Sequence, residues 1–198
     1  MYLEHKEKAK TVLENIIARR SLPPQLMKPD AIDRETLEAI LEAANWAPTH
    51  KLTEPWRFRL FLGNGRSALA KVLGEAYTGT IGASFDERKF LKTIMRPLQV
   101  PVVMAIVMSP GLKANLPEFE EILAVGCAMQ NFHLAAHAMG IGCFWSTPKY
   151  LENEALRTFL QLQPHERCLG FYYLGYPQDS WPPSKRRPVA EKTTWVTE

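Results

Sequence analysis

The segment that most narrows the folds open to this chain is a run of apolar and small residues: Ile122, Leu123, Ala124, Val125, Gly126, Cys127, Ala128, Met129, Phe132, Leu134, Ala135 and Ala136. Asn115 and Glu118 read as an N-terminal cap for it, and the pattern predicts the longest helix of the chain, ending near Met139. A helix that is apolar or small nearly all round has no face to give to water and must be buried. Its small residues let another backbone come close, so burial between two subunits meets the demand as well as burial within one. Gln130, Asn131, His133 and His137 interrupt the run, and they read as satisfied core polar groups before they read as site groups.

The remainder is large enough to surround such a helix. At 198 residues with 46% hydrophobic content, one domain spanning residues 1–198 is expected. A net charge of +3 argues against the broad basic face that nucleic acid requires, and Lys185, Arg186 and Arg187 form only a local cationic spot. Cys127, Cys143 and Cys168 are odd in number, far apart and set among apolar neighbours, which predicts buried reduced thiols rather than disulfides or zinc ligands. The apolar run Val100 to Met108 is too short to cross a bilayer, and the charged start, with Lys6, Glu7, Lys8 and Lys10, contains no signal core. A soluble cytoplasmic protein without membrane or nucleic-acid partners is expected.

Two stretches carry candidate chemistry. Ala9, Leu13, Ile16 and Ile17 follow helical spacing up to Arg19-Arg20-Ser21, and Pro23-Pro24 forbid continuation. An arginine pair beside a hydroxyl suits a phosphate or a polyol chain, although basic residues in a last turn also serve simply to complement the helix dipole. Asp33 reads as the cap of a second helix, with Ile32 and Leu37 as its hydrophobic staple. That helix feeds the loop Trp46 to Phe58. Pro48 and Pro55 break it, Thr49, His50, Lys51, Thr53 and Glu54 give it polar groups, and Trp46, Leu52 and Trp56 are expected to anchor it to apolar neighbours.

Trp56 to Leu62 alternates as a half-buried strand, and Val102 to Met108, apolar throughout, reads as a strand covered on both faces at the centre of a sheet. Ser67–Tyr77 and Asp86–Met95 are predicted helices joined by a mobile connection over Thr78–Ala83. Gly63 to Gly65 lacks the spacing and the Lys-Ser/Thr of a phosphate loop. Gly140 to Pro148, with Gly140 and Gly142 permitting close backbone approach, turns from the helix into a short extended segment and precedes a helix over about Leu151 to Leu160 and an aromatic strand from Cys168 to Tyr173. Proline content then makes Asp179 to Pro188 an extended tail.

Arg19-Arg20-Ser21, Ala47-Pro48, Glu54-Pro55-Trp56-Arg57-Phe58, Gly140-Ile-Gly-Cys-Phe-Trp145, Leu174-Gly175-Tyr-Pro177 and Lys185-Arg186-Arg187-Pro188 occur in an order and spacing that resembles the flavin-dependent nitroreductase family, in its small bacterial branch. The resemblance implies an α+β sandwich with a central, mostly antiparallel sheet flanked by helices, an intertwined homodimer, and FMN at the subunit interface. Residues 176–198 would be an extended C-terminal arm. Arg19, Arg20 and Ser21, with Arg186 or Arg187, would hold the phosphate and ribityl oxygens. Trp46, Thr49 and His50 would reach the flavin from the other subunit, and Trp145, Ser146 and Thr147 would sit against it. No side chain would act as catalyst. NADH or NADPH would deliver hydride to the flavin, and a nitroaromatic, quinone or related small molecule would collect the electrons, with ping-pong kinetics. A flavin-sequestering protein without turnover keeps the same anchors and remains open. Glu54 departs from the glutamine usual in the family, which leaves its substrate range unassigned.

Overall fold

A computed structural model describes residues 2–198. Helix α1 (Tyr2–Ala18) stops just before Arg19, and the chain then turns extended through its prolines. Helix α2 (Arg34–Asn45) begins where the Asp33 carboxylate accepts from the Thr36 amide at 2.7 Å, and Ile32 and Leu37, both buried, close the staple. The rest follows as β1 (Trp56–Phe61), α3 (Asn64–Ile81), α4 (Glu87–Met95), β2 (Val102–Met108), α5 (Glu118–Ala138), β3 (Gly142–Ser146), α6 (Glu154–Phe159) and β4 (Arg167–Gly175).

The four strands form one antiparallel sheet in the order β1-β2-β4-β3. β2 is central, as its unbroken apolar sequence predicts, and it divides its side chains between two cores. Val102, Met104, Ile106 and Met108 face α2 and α5, while Val103 and Ala105 join residues of α3 and α6 on the opposite side. α4 packs outside α3, whose Gly74 lets the two helices meet: a methyl there would stand 2.9 Å from Ile94 Cγ2. The architecture is the expected α+β sandwich with an antiparallel sheet flanked by helices.

Several local expectations change. α3 continues through Thr78–Ile81 instead of ending at Tyr77, because Thr78 bonds back to the Gly74 and Glu75 carbonyls, and the Tyr77 hydroxyl ties the next segment at Asp86. α6 is only the Glu154–Phe159 core of the predicted Leu151–Leu160 helix, starting from an Asn153 cap. Pro117, not Asn115, precedes α5, and Asn115 takes a left-handed conformation. α5 is not buried all round within the chain. One side, with Ala124, Val125, Ala128, Met129 and Phe132, enters the core; the other leaves Phe119, Ile122 and Leu123 in solvent, with Leu123 62% exposed. Cys127 lies on that outer side, while Cys143 and Cys168 are buried as expected. α1 likewise exposes Val12, Leu13, Ile16 and Ile17. Among the described residues no helix is long and apolar enough to cross a membrane, and no group of His, Cys, Asp or Glu could hold a metal ion.

Candidate functional site

Arg19-Arg20-Ser21 runs beside β3. Ser21 forms a parallel bridge with Cys143, and the Leu22 amide donates to the Cys143 carbonyl at 2.9 Å. The approach depends on Gly142, whose position would drive a methyl into Leu22. The tail returns to the same place, so that Arg19, Arg20, Ser21 and Arg186 line one cleft of about 350 Å3 with Pro182 and Ser184. Three guanidinium groups and two hydroxyls converge there, and no carboxylate is among the lining residues. Arg187 is not one of those lining residues either.

The two helix-end arginines differ. Arg20 is committed to carbonyls: Nη1 donates to Ile17, Ala18 and Arg19, and Nε to Pro182, which closes the end of α1 and fastens the tail. Arg19 has only a marginal approach to His133, 3.4 and 3.5 Å to the ring nitrogens. His133 is itself satisfied. Its Nε2 lies 3.1 Å from the Arg20 carbonyl and must donate, leaving Nδ1 to accept from the Tyr172 hydroxyl at 3.3 Å. Burial, then the nearby Arg19 charge, lower its pKa to about 4. Burial likewise raises the Tyr172 hydroxyl and the Cys143 thiol, so both stay protonated at neutral pH.

Tyr172 links this cleft to the other end of β3. Its ring lies 5.6 Å from that of Trp145, whose Nε1 donates to the Leu169 carbonyl at 3.1 Å. Gly170 makes room, since a methyl there would meet the Ser146 carbonyl at 2.5 Å and its φ is +129°. Ser146 follows Cys143 by three residues of extended chain, about 10 Å along the same edge. Arg19, Ser21, Trp145, Ser146 and Thr147 therefore share one strand edge, with cations at one end and an aromatic and hydroxyls at the other. Ser146 and Thr147 also border a second, cationic cavity formed with α4.

The loop between α2 and β1 lies elsewhere. Its Thr49 hydroxyl accepts from the Glu54 amide and bonds Thr53, which donates to the buried Glu121 at 2.7 Å; the same carboxylate accepts from the Gly111 amide. His50 Nδ1 meets Glu120 at 2.7 Å. This network holds Lys51, Leu52 and Glu54 at positive φ, which costs on the order of 1 kcal/mol each. Trp56 is buried and hydrogen-bonds Asn45, but the other two expected anchors face solvent: Trp46 is 80% and Leu52 81% exposed. Trp46 caps α2 and its Nε1 donates to Glu42 one turn back at 2.8 Å, which holds the indole on the outer surface, while Leu52 sits at positive φ in the loop tied to Glu121. The loop meets α5 at Glu120 and Arg19 meets it at His133, thirteen helical residues away, or about 20 Å. One chain therefore brings Arg19, Arg20, Ser21 and Arg186 together, sets Trp145, Ser146 and Thr147 in line with them, and keeps Trp46, Thr49 and His50 apart.

Sequence reading did not single out Tyr172, although period two along β4 puts Gly170, Tyr172 and Leu174 on one face. It also passed over Lys89, Lys92 and Arg96, whose i, i+3, i+7 spacing is a helical stripe.

An antiparallel four-stranded sheet between two helical layers, with a cationic cleft where the end of α1 and the tail meet beside β3, matches a known class. Residues 16–176 fit the profile of the nitroreductase family, and the chain belongs to that family. It is 32% identical over 166 residues to the protein named "Putative NAD(P)H nitroreductase YdjA" of Escherichia coli (strain K12), covering 84% of this chain and 88% of that one. Among solved structures it superposes on the nitroreductase-like family protein of Bacillus cereus with a TM-score of 0.78 and 26% identity, over 93% of this chain and 95% of that one. The structure described as "a putative nitroreductase in complex with fmn" from Desulfovibrio desulfuricans gives a TM-score of 0.72 at 25% identity, over 94% and 96% of the two chains.

Proposed function

We propose that this protein is an FMN-dependent oxidoreductase that uses NADH or NADPH to reduce nitroaromatic, quinone or related electron-poor acceptors. The observation that carries the proposal is the cleft of Arg19, Arg20, Ser21 and Arg186, with no carboxylate among its lining residues, which the Ser21–Cys143 bridge joins to the strand that carries Trp145 and Ser146. These residues fit a flavin mononucleotide. Guanidinium donors without a resident anion suit a phosphate, and the aromatic and hydroxyl end, about 10 Å further along, suits a flat ring with polar edges. The FMN complex of the Desulfovibrio relative supports the same ligand.

Bound FMN supplies the two-electron chemistry. The protein binds and orients. Arg19 and Arg186 hold the phosphate, and Ser21 adds a hydroxyl to phosphate or ribityl oxygens. Arg20 fixes the end of α1 and the tail around them, while Arg187 lies outside the cleft. Tyr172 supports Trp145 from below, and Ser146 and Thr147 offer hydrogen bonds at the ring end. The chain acts as one domain, with residues 176–198 an arm that brings Arg186 to the cleft.

The second half of the site comes from a second copy. Trp46, Thr49 and His50 lie about 20 Å along α5 from Arg19, too far to share one flavin within a chain. Exposed apolar residues at the N-terminal end of α5 (Phe119, Ile122, Leu123) and on α1 (Val12, Leu13, Ile16, Ile17), which meets α5 near Leu134 and His137, suit a homodimer interface. Two copies packed with their α5 helices antiparallel would bring the loop of each to the cleft of the other. The purified protein should therefore carry or take up FMN, and anaerobic NADH or NADPH should bleach it within seconds, with colour restored by a quinone or nitroaromatic. Failure to bind FMN would sink the cofactor assignment; bound flavin that stays oxidised with both nucleotides would mark a storage protein instead.

A further inference from the structure

We propose that the cavity between α4 and the segment after β3 binds the phosphate groups of the nicotinamide nucleotide and gives the enzyme a preference for its 2′-phosphorylated form. The inference rests on the oxidoreductase reading and names the co-substrate of that site.

The cavity measures about 490 Å3 and is lined by four cations, Lys89 and Lys92 from α4, Arg96 at its C-cap and Lys149 beyond β3, with no carboxylate among its lining residues. Lys89, Lys92 and Arg96 recur at i, i+3 and i+7, so they stand on one side of the helix and its cap, where like charges repel in the absence of a counter-anion. Among the described residues only Lys89 of the four pairs with a carboxylate, Asp86 at 3.7 Å. Arg96 is further constrained. Its guanidinium carbon lies 5.4 Å from the centre of the Phe144 ring, and its Nε is buried with no hydrogen-bond partner. A desolvated guanidinium nitrogen without an acceptor is costly unless an anion completes it.

Ser146 and Thr147 line this cavity, and they are also the residues that the oxidoreductase reading sets at the ring end of the flavin. A molecule whose flat end stacks at that ring end can thus extend its charged end directly between Lys92 and Lys149. Small aromatic acceptors have no use for four cations. A dinucleotide brings a diphosphate, and its phosphorylated form adds a monoester carrying about −1.5 to −2 at neutral pH. Tyr77, Tyr150 and Tyr173 provide the apolar wall on which such a ligand can rest.

The test is calorimetric titration of the FMN-loaded protein with 2′,5′-ADP, 5′-ADP and inorganic phosphate, using wild type and Lys92→Gln/Lys149→Gln, whose altered residues are exposed and lie outside the phosphate cleft of FMN. We expect wild type to bind 2′,5′-ADP at least about tenfold more tightly than 5′-ADP, and the double variant to lose most of that difference with its FMN content unchanged. The KM for NADPH should rise about three- to tenfold in the variant, and that for NADH less than about twofold. Equal binding of the two ADP compounds by wild type would overturn the proposal, as would a double variant that changes only the KM of carboxylate-bearing acceptors. If neither NADH nor NADPH bleaches the flavin, the oxidoreductase reading fails by itself, and the ADP titrations still report on the cavity.

Discussion

The two ends of α5 hold opposite kinds of structure. At its C-terminal end, beside Arg19, His133 and Tyr172 are fixed by the chain's own core: His133 is buried, both its nitrogens have partners, and Tyr172 is wedged among Phe132, His133 and Trp145. At its N-terminal end the Thr49–Thr53–Glu121 network fixes the backbone of the loop, yet Trp46, whose indole donates to Glu42, and Leu52 stay largely in solvent. The first end is a site half already formed. The second has a rigid backbone and an outward apolar surface, a combination suited to a complementary surface elsewhere and paid for by three left-handed non-glycine residues.

The sharpest way to break that comparison is complementation. Arg19→Ala damages one end, and Trp46→Ala/His50→Ala damages the other while sparing the Thr49 hydrogen bonds. Each variant alone should bind FMN at least about tenfold more weakly. If each site joins the cleft of one chain to the loop of the other, a mixed dimer contains one site with both lesions and one with neither. Refolding the two variants together should restore tight binding to one site per mixed dimer. No recovery above the parents would mean that both ends serve the same site within one chain, and the interface reading would fall.

The next effect tests how firmly the formed end is built. His133 has a folded-state pKa of about 4 against an ordinary 6.5. The unfolded chain therefore takes up a proton at a higher pH than the folded one, and stability present above 6.5 is lost as pH falls toward 4. At about 1.4 kcal/mol per pKa unit, the loss is on the order of 3 kcal/mol. His133→Gln can still donate to the Arg20 carbonyl and accept from Tyr172, so its denaturation midpoints between pH 7 and 4.5 should fall less steeply than those of wild type. Parallel profiles would show that His133 does not govern that acid sensitivity.

A smaller effect separates the two arginines inside the formed end. Arg19→Ala should weaken FMN binding about ten- to a hundredfold, because its guanidinium has no strong internal partner. Arg20→Ala should act first on stability, since four carbonyls lose their donor. A melting temperature unchanged in Arg20→Ala, with FMN affinity lost as in Arg19→Ala, would reverse these roles.

These differences also mark what a sequence can show. Local rules account for the Asp33 cap with its staple, for β2 as the central strand, and for the stop after Ala18, because each depends on neighbours within a few residues. The loop that exposes Leu52 is tied to Glu121, some seventy positions away, and Trp46 is held outward by Glu42, where hydrophobicity alone predicted burial. The exposed side of α5 was hidden for a related reason: an all-apolar helix signals burial, but its pattern does not say which chain does the burying. Arg19-Arg20-Ser21 and Arg186 stand out in the sequence as short motifs, whereas the placement of the first three beside β3 depends on the Ser21–Cys143 bridge and on Gly142.

The smallest expected effect concerns Glu54, which stands in the exposed loop at φ 44°. Its carbonyl accepts from Arg57 at 2.8 Å, and its side chain borders a surface hollow together with Glu38 and Glu42. If the loop closes over the flavin of a second copy, this carboxylate contributes negative charge where the acceptor enters and nothing to the phosphate end. Nicotinamide and acceptor then take turns in one place, so double-reciprocal plots at several nucleotide concentrations should be parallel. Glu54→Gln removes the charge but keeps the shape. It should change the KM of an anionic acceptor about two- to threefold, as expected for an exposed charge, and leave FMN content and the nucleotide KM where they were. Intersecting plots would place the two substrates in separate positions. A Glu54→Gln variant that loses FMN instead would move this residue from the acceptor's approach to the support of the cofactor, and the contrast between the ends of α5 would have to be redrawn.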